Sequence, residues 1–277
     1  MKCENTSAGF LKKALIDSAV LLILVCGIFL LDHLPSFQRG FFCGDESLMY
    51  PYRNDTVTTN MLYATGIMVP LVVILVTEYL HLRNESDDVC VFGIRIPVWV
   101  RGFYGSLVTF LIGLCCMETA GNVVKKTIGR LRPHFFDLCK PSIDCTAPEW
   151  QGRYILPSEY SCTAGTPSLL ADMRRSFLSG HSAWASYTMV FAAMYIHRRR
   201  ISSCYGLRHG VQFLVLLMGL FTAVSRVSDY KHHWSDVVAG LTMGTTIAVL
   251  VMNWCITLIP KKAPVEATTQ LDEIATK

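Results

Sequence analysis

The chain has 277 residues, 52% hydrophobic and 17% charged, with a mean hydropathy of +0.38 and a formal charge of +4. That is apolar for a soluble domain of this size, and no basic patch with interleaved aromatics points to nucleic acid. The apolar residues come in blocks, which points to a bilayer as solvent.

Six blocks approach the roughly 20 apolar residues that a bilayer-crossing helix needs: residues 14–31, 61–80, 98–117, 182–196, 211–224 and 237–259. The predicted fold is all-α, an integral membrane bundle of six transmembrane helices. Residues 1–260 form one membrane-embedded domain, and 261–277 a polar, disordered cytoplasmic tail. Lys12 and Lys13 precede the first block as in a signal sequence. The run is long, however, and the DHLPSFQRGFF that follows has no small-x-small cleavage site, so the first helix is read as retained.

Basic residues set the orientation. Lys12 and Lys13 precede helix one, Arg83 follows helix two, Arg198 to Arg200 follow helix four, and Lys261 and Lys262 follow helix six. Lys and Arg concentrate in short cytoplasmic loops, so both termini are placed in the cytoplasm. Residues 32–60, 118–181 and 225–236 then lie outside. The last two still carry several cations, against the bias, and those cations need another explanation.

The outer loops hold a sequon, Asn54-Asp55-Thr56, which makes Asn54 the candidate glycosylation site. Cys43, Cys139, Cys145 and Cys162 lie there too, where oxidation is permitted. At least one disulfide is expected within the second outer loop, and four cysteines allow three full pairings. Cys3, Cys90 and Cys204, on the other side, are read as reduced thiols.

Three outer stretches carry chemistry: KKTIGRLRP (125–133), SFLSGHSAW (176–184) and SRVSDYKHHWSD (225–236). Lys125 and Arg132 are seven apart, so on a helix they share a face two turns apart. With Arg226 they suit a dianion, because guanidinium forks match phosphate oxygens. Any one of these cations alone also fits interfacial anchoring. Ser179-Gly180-His181 stands where helix four begins, and free N–H groups there bind anions. Capping of that helix by Ser179 or Ser182 is the plain alternative, and it is compatible with catalysis. His232 and Asp236 are four apart. If the last helix reaches back to His232, the carboxylate fixes one imidazole nitrogen and leaves the other as a nucleophile. His181 is then a separate acid. A metal set of His232, His233 and Asp236 is disfavoured, since adjacent histidines chelate poorly from one helix face and three cations lie near.

These stretches resemble the three signature motifs of the lipid phosphate phosphatases, the type 2 phosphatidate phosphatase superfamily. The patterns K-x6-R-P, P-S-G-H and S-R-x5-H-x3-D read here as Lys125 to Arg132-Pro133, Leu178-Ser179-Gly180-His181, and Ser225-Arg226 to His232 to Asp236. Leu178 replaces the Pro of the broad pattern, as in the animal branch. Loop 134–178, where animal members often carry a glycan, has no sequon. The resemblance implies that His232 attacks phosphorus, Asp236 orients it and His181 protonates the leaving alkoxide. It implies that Lys125, Arg132, Ser179, Gly180 and Arg226 hold the phosphate. It also implies a site on the extracytoplasmic face, no metal and no cofactor. Phosphatidate, lysophosphatidate, sphingosine 1-phosphate and ceramide 1-phosphate are the implied substrates. The plasma membrane, with endomembranes as the alternative, is the implied location, and self-association is compatible with it. The rival readings are a phosphate-lipid binding or transport protein without turnover, a channel, and a superfamily phosphatase for another ester. Retention of His181, His232 and Asp236 argues against the first.

Overall fold

The computed structural model describes residues 7–85, 88–199 and 204–258; Cys3 and the tail expected over 261–277 lie outside the described residues. Six long helices dominate: α1 (Ser7–His33), α2 (Thr59–Leu82), α3 (Val98–Ile128), α6 (Gly180–Arg199), α7 (Tyr205–Ser228) and α8 (Trp234–Leu258). Two short helices, α4 (Phe135–Cys139) and α5 (Pro167–Asp172), lie between α3 and α6.

Among the described residues, five of the six long helices are long and apolar enough to cross a membrane; α6 is not. Its composition follows from its place. It packs against α2, α3, α7 and α8, so its side chains face protein where the other helices face lipid. Tyr187, Thr188, Tyr195 and Arg199 are buried on it. Arg199 Nη2 donates to the buried Glu78 of α2 at 2.8 Å. By contrast α7 exposes Phe213, Leu214, Leu217, Leu220 and Phe221, the face that a bilayer would cover.

Small residues set the closest helix contact. A Cβ on Gly240 would lie 2.6 Å from Ser179 O, and one on Gly244 would lie 2.2 Å from Ala183 O. This glycine pair, four apart on α8, lets α8 lie directly on the first turns of α6. The start of α8 and the start of α6 therefore meet at one end of the bundle.

At that end the loops build a lobe with its own apolar core of Phe41, Leu48, Leu131, Phe135, Ile155, Tyr160 and Met173. β1 (Phe41–Phe42) pairs antiparallel with β4 (Tyr154–Ile155), Phe41 opposite Ile155. Two disulfides, Cys43–Cys145 and Cys139–Cys162, join the four cysteines expected in the outer loops. At the other end, β2 (Val89–Val91) and β3 (Ile94–Ile96) form a hairpin. Cys90 in β2 is disulfide-bonded, contrary to the reduced thiol expected.

Candidate active site

The His232 side of the site is built from the turn between α7 and α8. The N–H groups of Lys231 and His232 both donate to Arg226 O, at 3.0 and 3.2 Å. That closes a tight reversal through Tyr230, whose φ is 55°. His232 lies just ahead of α8 and is 3% exposed, while Asp236 in the first turn is fully buried. His232 Nδ1 sits 2.8 Å from Ser176 O. A carbonyl only accepts, so Nδ1 carries the proton and Nε2 keeps its lone pair. The expected Asp236 contact is longer, 3.8 Å from Oδ2 to Nδ1. The helix does not reach back to His232, so the Ser176 carbonyl fixes the tautomer and Asp236 acts as the charge behind it. Burial pushes the imidazole down to about 3, so His232 is neutral at physiological pH.

Asp236 is itself held from several directions. Its Oδ2 accepts from Ser176 Oγ at 2.6 Å and His233 N–H at 3.0 Å, and its Oδ1 accepts from Arg130 Nη1 at 2.6 Å. Arg130 and Ser176 escaped the sequence reading. Arg130 lies inside the first motif and Ser176 opens the second stretch, but neither position shows its partner. The lobe brings them together: Ser176 N–H donates to Arg130 O at 3.0 Å, and Arg132 N–H to Met173 O at 2.8 Å.

The anion side faces it across a cavity of about 780 Å³. Lys125, Arg132, Gly180, His181, Arg226 and His232 line this cavity. Lys125 and Arg132 do not share a helix face as expected. α3 stops at Ile128, and Gly129 turns the chain at φ 58°, where a Cβ would sit 2.1 Å from Phe37 O. A reversal that only glycine accommodates carries Arg132 back to the cavity. Gly180 leaves room for Lys125, since a Cβ there would lie 2.6 Å from Lys125 Nζ. His181 Nε2 is buried without a hydrogen-bond partner.

Ser179 does not line the cavity. Its hydroxyl accepts from Ser182 N–H at 3.3 Å and Ser182 Oγ at 2.8 Å, so it caps α6. Arg226 is 2% exposed and donates to Asp55 Oδ1 at 2.9 Å. Lys231 Nζ lies 3.8 Å from the same oxygen and 3.8 Å from the Tyr52 ring centroid. Asp55 and Tyr52 belong to the segment between α1 and α2, where the sequence gives no signal for them. Asn54 beside them is exposed. His233 Nε2 lies 3.1 Å from Leu131 O while His232 turns to Ser176. The two rings therefore diverge, and no group of three metal-ligating side chains occurs among the described residues.

Residues 106–259 match the PAP2 superfamily. Phospholipid phosphatase 2 of Homo sapiens is 36% identical over 77% of this chain and 72% of its own length. Phospholipid phosphatase 1 of Rattus norvegicus is 34% identical over 84% of this chain and 82% of its own. No solved structure matches the chain.

Proposed function

The chain belongs to the PAP2 superfamily, and from that premise we propose that it hydrolyses lipid phosphate monoesters through a phosphohistidine intermediate. The observation that carries this is the state of His232: its Nδ1–H is anchored on Ser176 O, and its other nitrogen is free beside the cations of the cavity. Nε2 attacks phosphorus, a P–N bond forms, and the ester P–O bond breaks. His181 gives the leaving alkoxide its proton. The negative charge of Asp236 stabilises the imidazolium as it forms. Water then attacks the phosphohistidine, His181 takes its proton, and inorganic phosphate leaves. Lys125, Arg132, Arg226 and the Gly180 N–H stabilise the charge growing on the phosphoryl oxygens. Ser179 acts one step back, by fixing the first turn of α6.

Phosphatidate, lysophosphatidate, sphingosine 1-phosphate and ceramide 1-phosphate are the proposed substrates, drawn from the surrounding bilayer. The relatives named phospholipid phosphatase support the lipid class. The two disulfides of the lobe support an extracellular or luminal site with both termini in the cytoplasm. Lys12, Lys13, Arg83 and Arg198 at the far end support the same orientation, while the disulfide-bonded Cys90 runs against it. We place the chain in the plasma membrane or an endomembrane.

The deciding experiment is phosphate release from phosphatidate in detergent micelles with excess EDTA, wild type against His232→Ala. Loss on the order of 10⁴-fold is expected for the variant, since the nucleophile itself is removed. Turnover surviving in the variant refutes the assignment of His232. A folded wild-type protein that binds the lipid without turnover leaves a binding protein instead.

A further inference from the structure

The acids lining the cavity are unequal. Asp32 pairs with Arg175 at 2.5 Å, Asp172 with Arg132 at 2.8 Å and Asp55 with Arg226 at 2.9 Å. Glu118 of α3 lines the same cavity and has no hydrogen bond or ion pair among the described residues. Lys125 is its counterpart among the cations, with no such partner either. Glu118, Asn122 and Lys125 follow at spacings of four and three, so they stand in one row along α3. Seven residues at 1.5 Å each put the two charges about 10 Å apart along the helix axis. The lysine side chain tilts back toward the helix N-terminus and closes much of that span.

The surroundings change along the row. At the Lys125 end stand Gly180, His181 and His232. At the Glu118 end stand Leu114 and Cys115 of α3 and Tyr63 of α2. The cavity thus runs from a cationic anion cradle, past one unmatched carboxylate, to an apolar wall. We propose that Glu118 is a specificity-determining residue that accepts a hydrogen bond from a lipid phosphate bearing an ammonium or hydroxyl group one carbon beyond its phosphate ester carbon. This rests on the hydrolase reading above. The phosphate lies at Lys125, the donor meets Glu118, and the hydrocarbon continues along Leu62 and Leu114. An ammonium gains the most, because the hydrogen bond is then charged on both sides. The single acyl ester that phosphatidate carries at that carbon has no donor to offer.

The test measures kcat/KM in mixed micelles with three probes: sphingosine 1-phosphate (ammonium), lysophosphatidate (hydroxyl) and phosphatidate (no donor there). Wild type is compared with Glu118→Gln and Glu118→Ala. In Glu118→Gln the sphingosine 1-phosphate to phosphatidate ratio falls about tenfold or more, the value of one charge-assisted hydrogen bond. The lysophosphatidate ratio falls less, because the amide oxygen still accepts. In Glu118→Ala both ratios fall. Size-exclusion profiles matching wild type show that the variants fold. Equal changes for all three lipids, or none, overturn the assignment of Glu118 while hydrolysis stands. Wild type releasing phosphate from none of the three sinks both readings.

Discussion

The two sides of the cavity are finished to different degrees. On the His232 side the groups that orient the ring are matched within the protein, His232 Nδ1 on Ser176 and Asp236 on Ser176, His233 and Arg130, and only Nε2 is left open to the cavity. On the anion side, His181 Nε2 has no hydrogen-bond partner, and Lys125 Nζ has none among the described residues. Buried polar groups are almost always paired, so unmatched donors gathered in one cavity mark where a ligand completes the network. The matched side fixes a geometry; the unmatched side holds binding capacity in reserve. A nucleophile needs its direction set before substrate arrives, whereas donors to a phosphoryl group act most strongly once water is displaced.

Breaking the matched side should cost the most. Asp236→Asn keeps the shape but removes the charge behind His232, and its amide must turn an N–H toward one of the donors Arg130 and Ser176. A drop in kcat on the order of 10³-fold is expected, with KM little changed. Arg130→Met leaves the carboxylate without its 2.6 Å guanidinium partner. Here kcat should fall about 10²-fold, again with KM little moved. A fall confined to KM in either variant would mean that this network binds substrate instead of aiming the nucleophile.

The unmatched side should respond in the opposite sense. In Gly180→Ala the new methyl lands 2.6 Å from Lys125 Nζ. That atom ends a flexible side chain, so it moves instead of unfolding the helix. Phosphate loses one well-placed cation, and KM should rise about tenfold, one hydrogen bond to a charged group. An unchanged KM would show that Lys125 does not touch substrate.

Much of this site was legible in sequence, and the reason is local. Gly180, His181 and Asp236 sit at helix starts, where a short motif places its residues close together, although His232 lies ahead of its helix and turns to Ser176 O instead of Asp236. The α3 end was misread because Lys125 and Arg132 keep a helical spacing across a turn. Gly129 was the available clue, as a glycine just before the Arg-Leu-Arg-Pro run marks a helix stop. Ser176 acts through its carbonyl, which every residue has, so no side-chain pattern reveals it. Arg130 and Asp55 depend on partners 106 and 171 residues away, set by the lobe and the first outer loop. The six blocks were found because lipid-facing helices must be apolar. The fourth is the least apolar because the bundle itself surrounds it.

Acidity offers the gentlest way to separate the two sides. Burial holds His232 at about 3 and His134, whose Nδ1 meets Tyr230 O at 2.8 Å, at about 4. Both rings are neutral in the fold, while the unfolded chain titrates near 6.5. Between those values the unfolded state binds more protons, so acid favours unfolding. The contribution is complete above pH 6.5 and is lost progressively as pH falls toward the folded values. Melting temperature in detergent should therefore hold level from pH 8 to 7 and decline from 6.5 to 5. Burial lowers His181 to about 4 and lowers His233 as well, so His134→Phe removes one of four contributing rings and should make that decline shallower. Activity corrected for folded protein should show no step from His232 in this range, because the nucleophile is already neutral. A level melting curve down to pH 5 would mean that these four rings take up protons in the fold as they do in the unfolded chain. His232 would then lack the lone pair that its bond to Ser176 leaves free.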